Sequence, residues 1–330
     1  MILMFEMLAI LLLAAALAAA VVSWFTAPGL WASILIGMAR RRSGLASQDI
    51  DVGGIHWHYL HGGNGPLLLL LHGFGADSSC WLRLAPLLRP HFSLLIPDLP
   101  GFGESERPEN LPFAIPAQAG RLAKFLDALG VEKCIVAGNS MGGYLATQLA
   151  ADDSRRVPAL WLLAPLGVRN APLGQVLQAI DSGDPGFLQI SSERQFRERI
   201  VRTMFSQPLW IPGPLVSHLA RIAIAMKDVA PRMLAEVRFD SEPLESIAGR
   251  VIQPTLLQWG SDDQVVNPAG LPVLQQALRD AASVLMKDCG HLAMLERPRE
   301  SARCFLDFLD ERGLRTVAMP HPDPPGEGLG

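Results

Sequence analysis

The chain has 330 residues, 49% hydrophobic and 18% charged, with a formal net charge of −4 at pH 7. That length permits one large α/β domain or two small ones, and the negative balance argues against a nucleic-acid-binding surface. Cys80, Cys134, Cys289 and Cys304 are scattered without metal-ligand spacing, so free thiols are expected, with no metal and no cofactor.

Met7 to Phe25 is almost wholly apolar. As a helix it would span roughly 28 Å, close to a bilayer core. Trp24, Phe25 and Trp31 would then lie near one interface, where amphipathic rings settle. Pro28-Gly29 breaks the helix, Leu30 to Ala39 is too short to span and suits the interface, and Arg40-Arg41-Arg42 closes the segment. A cleaved signal peptide competes with this reading, because small residues between Ala14 and Ala20 suit cleavage. The leader carries Glu6 and no Lys or Arg, however, so the basic n-region is missing and an uncleaved single-pass anchor is favoured. The three arginines then place the rest of the chain in the cytoplasm.

From about Ser43 the pattern turns to α/β. Ile55 to Leu60 alternates like a strand, Gly62 to Pro66 is a turn, and Leu67 to Leu71 is a continuous apolar run suited to a buried parallel strand. A helix is expected over Trp81 to Leu88, a strand over Phe92 to Ile96, and a helix over Gln118 to Leu129. Cys134 to Ala137 reads as a strand, Tyr144 to Ala150 as a helix, and Val157 to Ala164 as another strand. Such alternation implies a parallel sheet covered on both faces. Between about Pro165 and Gly249 no β-run is convincing. Helix-like stretches at Glu193–Phe205, Leu215–Met226 and Ala230–Val237, interrupted by Pro208, Pro212 and Pro214, read as a helical lid. Its apolar residues Met204, Phe205, Leu209, Trp210, Ile211 and Leu215 are candidates for an acyl pocket, although each on its own is better explained as lid packing. The βα rhythm resumes with a strand at Thr255–Trp259, a helix at Pro268–Leu278, a strand at Ser283–Met286 and a helix at Ser301–Leu309. The expected organisation is therefore an anchor (1–42), a core (43–165 and 250–315) split by a lid (166–249), and a Pro/Gly-rich disordered tail (316–330).

Gly138-Asn139-Ser140-Met141-Gly142 lies between the strand ending at Ala137 and the helix starting near Tyr144. Strand, Gly-x-Ser-x-Gly, helix is the setting of a nucleophile elbow. The turn forces a strained backbone at the serine and requires small residues two positions either side. It also places the hydroxyl at a helix N-terminus, which favours negative charge. A serine hydroxyl needs a base, and the base an orienting acid. On this kind of elbow the order is Ser, acid, His. Downstream of Ser140 only His218, His291 and His321 remain. His321 lies in the tail and His218 in the lid, which leaves His291, after the tight Asp288-Cys289-Gly290 turn. The acid belongs at the end of the Trp259 strand, where Asp262 and Asp263 are adjacent and spacing does not separate them. The oxyanion hole needs two N–H donors. Met141, following the nucleophile, supplies one, and Phe74 in the loop His72-Gly73-Phe74-Gly75 supplies the other. His72 itself reads as structural.

These segments, with Asp98-Leu99-Pro100-Gly101-Phe102-Gly103-Glu104-Ser105, Trp259-Gly260-Ser261-Asp262-Asp263-Gln264-Val265 and Cys289-Gly290-His291, resemble the α/β-hydrolase superfamily on its esterase and lipase side, over about residues 50 to 312. The resemblance implies an α/β-hydrolase fold, a mostly parallel sheet with a helical lid. It also selects Asp263 as the acid, because the family's acid is the third residue after Trp-Gly. The anchor with its arginines, and Gly290-His291 through Glu296-Arg297-Pro298-Arg299, resemble the membrane-bound monoacylglycerol lipase branch. Asn139 stands where many relatives carry His, and Ser140 in place of Asp argues against a dehalogenase or epoxide hydrolase. The implied activity is hydrolysis of lipid carboxylic esters by Ser140, Asp263 and His291 at a membrane. The rivals are a hydrolase of carbon–carbon bonds in aromatic-degradation products and a non-catalytic membrane receptor on the same fold.

Overall fold

A computed structural model describes residues 2–207 and 209–314. The tail at 316–330, with His321, lies outside the described residues, as does Pro208. Eight strands form one sheet: β1 (Ala46–Val52), β2 (Ile55–Gly62), β3 (Leu67–Leu71), β4 (Ser93–Pro97), β5 (Ile135–Asn139), β6 (Leu160–Leu163), β7 (Thr255–Gly260) and β8 (Ala281–Met286). Their order is β1-β2-β4-β3-β5-β6-β7-β8. The pairs from β4 through β3, β5, β6 and β7 to β8 are parallel, whereas β2 runs antiparallel to both β1 and β4.

The five leucines of β3 explain why this strand is central. Leu67, Leu69 and Leu71 point into one apolar core with Phe125, Leu145 and Trp259, while Leu68 and Leu70 join Trp161, Phe305 and Phe308 on the opposite face. A strand that buries both faces has no use for polar alternation. The helices Ile115–Ala128 and Met141–Asp152 cover the first face, and Pro298–Glu311 covers the second.

Several expectations are corrected locally. β1 was not anticipated from the sequence. It is Ala-Ser-Gln-Asp-Ile-Asp-Val at the sheet edge, largely exposed, and joins β2 through Gly53-Gly54. The expected helix over Trp81–Leu88 is a 3₁₀ turn, Ser78–Trp81, followed by one α-turn, Ala85–Leu88. The helix expected over Glu193–Phe205 is interrupted by a π-turn at Arg197–Val201. Between β6 and β7 the described chain forms only helices and turns, among them Gln175–Asp181, Gly213–Met226, Ala230–Phe239 and Leu244–Ala248.

The N-terminal helix runs Ile2–Thr26, and its Met4–Thr26 stretch is long and apolar enough to cross a membrane, with none of its most apolar window buried. The next helix, Pro28–Ser43, behaves differently. It packs along Gly213–Met226 of the helical insertion, buries Ala32 and Ser43, and sends the Ser43 hydroxyl to the Leu82 carbonyl at 2.9 Å. The segment expected in the interface is thus partly built into the globular body.

Candidate active site

The elbow is sharply defined. Ser140 has φ 55° and ψ −118°, a conformation that L-residues adopt only under constraint. The constraint comes from its surroundings. The Ser140 N–H donates to the Leu163 carbonyl at 3.0 Å, and its own carbonyl accepts from Gly143, Tyr144 and Leu166. A Cβ at position 138 would stand 2.2 Å from the Gly142 carbonyl oxygen, and one at 142 would stand 2.2 Å from that of Leu71. These are backbone atoms that cannot swing aside, which is why both positions are glycine. The elbow helix starts at Met141, so the Met141 N–H has no intrahelical acceptor and lies beside the nucleophile.

The loops following β3, β7 and β8 converge on this turn. A Cβ at Gly73 would approach the Ser140 Cβ to 3.2 Å, so the Phe74 loop lies against the serine. His291 Nδ1 is 2.7 Å from Asp263 Oδ2. Asp263 Oδ1 accepts from the N–H groups of Val265 and Val266, at 2.8 and 2.9 Å. Its carboxylate is thus fixed by backbone donors on one side and the imidazole on the other, leaving Nε2 of His291 as the nitrogen able to take a proton. All three side chains are nearly out of solvent, with residue exposures of 7% for Ser140, 6% for Asp263 and 4% for His291. Asp262 points elsewhere, to the hydroxyls of Ser261 and Ser206.

His218 sits half-buried on the helix Gly213–Met226. His72 is fully buried. Its Nε2 accepts from the Leu99 N–H at 2.9 Å, so Nδ1 carries the proton and donates to the Gly73 carbonyl at 2.8 Å. It ties the Phe74 loop to the Asp98–Ser105 loop. Burial lowers its pKa below 6.5, although the Asp98 carboxylate opposes this. The sign follows directly: below 6.5 the unfolded chain takes up a proton that folded His72 resists, so this stability is present above 6.5 and lost as pH falls. Asp98, raised by burial, works in the opposite direction. The stability of the wild type against urea is expected to fall on acidification by up to about 1.4 kcal/mol per pH unit from this one proton. His72→Gln should flatten that slope, and parallel slopes would refute the assignment.

The six acyl-pocket candidates differ in their surroundings. Phe205 is buried and Met204, Leu209, Ile211 and Leu215 are half-buried, but Trp210 is 82% exposed. Ile211 packs into a small core of the insertion with Ile190, Phe196, Val216 and Ala220. The larger of two described cavities, about 440 Å³, is an open polar cleft lined by Gln175, Ser206, Ser261, Asp262, Asp263 and Gln264, and none of the six lines it. Sequence reasoning also missed the role of Asn139, whose Nδ2 donates to the carbonyls of Leu163 at 3.1 Å and His291 at 3.2 Å. The departure from His at this position was its only signal. Among the described residues no cluster of His, Cys, Asp and Glu could hold a metal.

Residues 66–298 match the family model described as the alpha/beta hydrolase fold, and the chain belongs to that family. It is 31% identical to "Lipase 1" of Psychrobacter immobilis over 280 residues, covering 83% of this chain and 87% of the relative. It is 30% identical to "Monoacylglycerol lipase abhd6-B" of Xenopus laevis, covering 75% and 76% of the two chains. A solved structure described as a membrane phospholipase A, a novel bacterial virulence factor, matches with a TM-score of 0.83 and 33% identity, over 93% of this chain and 99% of that one. The family and these relatives place the chain among the carboxylic ester hydrolases.

Proposed function

We propose that the chain is a membrane-anchored serine hydrolase that cleaves carboxylic esters of lipids, of the monoacylglycerol kind or similar, through an acyl-enzyme. The observation that carries this reading is the 2.7 Å contact of His291 Nδ1 with Asp263, on loops that converge on a serine strained at φ 55°. Ser140 Oγ attacks the ester carbonyl while His291 Nε2 takes its proton, and Asp263 stabilises the imidazolium. The N–H groups of Phe74 and Met141 receive the charge that develops on the carbonyl oxygen. His291 then protonates the leaving alcohol, and water repeats the sequence on the acyl-enzyme.

The helix Met4–Thr26 is the anchor in this reading, and the substrate reaches the site from the lipid phase. The cytoplasmic assignment rests on the basic residues that follow. Of these, Arg40 is half-buried against Glu104 at 2.6 Å, which leaves Arg41 and Arg42 exposed to bias the orientation. The proposed anchor ends at Thr26, because removing residues up to 42 would strip a helix from the body. A version lacking residues 2–26 should keep its rate on a short soluble ester and lose at least about tenfold on the same acyl group in vesicles, since local lipid concentration is what the anchor supplies. Equal losses on both substrates would sink the anchoring idea. Covalent labelling by a fluorophosphonate separates the enzyme from a non-catalytic receptor, and a panel of esters against vinylogous diketones separates ester from carbon–carbon cleavage.

A further inference from the structure

The helical insertion meets the loops that carry Asp263 and His291 around Ser206. Its hydroxyl donates to Asp262 Oδ2 at 2.5 Å, on the loop that also carries Asp263. Its N–H donates to the Glu296 carboxylate at 3.2 and 3.3 Å, and the neighbouring Gln207 N–H reaches the same carboxylate at 3.3 Å. Glu296 completes the arrangement by accepting from the Gly290 N–H at 2.8 Å, next to the base. The His291 N–H itself donates to the Met204 carbonyl at 2.9 Å, while its carbonyl accepts from Asn139 Nδ2. The two backbones are in direct contact: a Cβ at Gly290 would lie 2.7 Å from both the Met204 oxygen and the Ser206 nitrogen.

We propose that Glu296 is a positioning residue that seats the insertion at Met204–Gln207 on the base loop and so sets where His291 stands. Three N–H groups from two distant segments converge on one half-buried carboxylate. Because the backbone of His291 is held on one side by the insertion and on the other by Asn139, the imidazole reaches its working position only when the insertion is seated. The part expected to cover the site is thereby also part of the frame of the base. This proposal rests on the triad reading above.

The test uses the full-length enzyme in detergent micelles with a short soluble ester. Glu296→Ala should lower kcat by about 10²-fold, the scale of an ångström-sized misplacement of a catalytic group, with KM and melting temperature little changed. Fluorophosphonate labelling of Ser140 should slow in parallel, and the acid limb of the kcat/KM profile, which reports the base, should shift. Glu296→Gln keeps an oxygen acceptor and should recover most of the rate. Wild-type kcat in Glu296→Ala overturns the proposal, as does a loss that follows melting temperature and is not rescued by Gln. If Glu296→Ala does not fold, Glu296→Met, similar in volume but without an oxygen acceptor, carries the test: a several-fold fall in kcat that Gln does not show supports the latch, and an unchanged kcat overturns it. His291→Ala in the same assay tells the two readings apart. Retained turnover there defeats the triad itself, whereas lost turnover with an unaffected Glu296→Ala defeats only the latch.

Discussion

Ser140→Ala is expected to lower turnover of a soluble ester by about 10⁴- to 10⁶-fold, the range seen when a triad nucleophile is removed and only binding and oxyanion stabilisation remain. The variant should fold normally. Every hydrogen bond described at position 140 is made by its backbone, through an N–H to Leu163 and a carbonyl shared by Gly143, Tyr144 and Leu166, and alanine keeps all four. The strain at φ 55° is likewise common to serine and alanine. A loss of activity therefore reports the hydroxyl and not the turn. The measurement pairs steady-state kinetics with fluorophosphonate labelling followed by peptide mapping. Label appearing elsewhere in the variant, or a residual rate within tenfold of wild type, would move the nucleophile away from this turn.

Asp263→Asn should lower kcat by about 10⁴-fold, because an amide at this position offers the imidazole the wrong tautomer and no charge to stabilise the imidazolium. Asp262→Asn should cost at most about tenfold, since the amide oxygen still accepts from the Ser206 hydroxyl. The contrast is demanding because the two residues are adjacent, chemically identical and presented by the same turn. What separates them is orientation. Asp263 is 6% exposed, with one oxygen on His291 Nδ1 and the other on two backbone N–H groups. Asp262 faces serine hydroxyls at the surface, and those hydrogen bonds hold its carboxyl below the ordinary value. Paired kinetics of the two variants on one ester decide the matter, and a larger loss for Asp262→Asn would reverse the assignment.

The core strands were readable because each obeys a burial pattern that side chains alone report. Leu67 to Leu71 alternates between two apolar cores, and nothing polar would be tolerated on either face. The elbow was readable for a different reason. A turn this tight admits only glycine where backbone atoms come within 2.2 Å of a would-be Cβ, so its geometry is written directly in Gly138 and Gly142. β1 left no such trace. It is mostly exposed and is held to β2 by main-chain hydrogen bonds, which almost any residue can make, and by pairs of its polar side chains with Tyr59, His58 and His56 that only the fold brings together. Trp210 shows the complementary limit: hydrophobic character argues for burial, yet this residue is 82% exposed.

By itself the sequence determined the fold family, the strands that carry the site, and the short set of residues from which a serine, a base and an acid could be drawn. Those features depend on local sterics and on periodic burial, which a linear pattern encodes. Only the tertiary structure showed that Asp263 and not Asp262 contacts His291, docked Pro28–Ser43 onto the helical insertion, and brought Glu296, Asn139 and Ser206 to the loops of the proposed triad. Most of these contacts join segments distant in sequence, Asn139 and His291 lying 152 residues apart. Each is set by the direction of a side chain or a backbone N–H once the sheet has placed its loops, and direction in space is not a property that neighbours in sequence share.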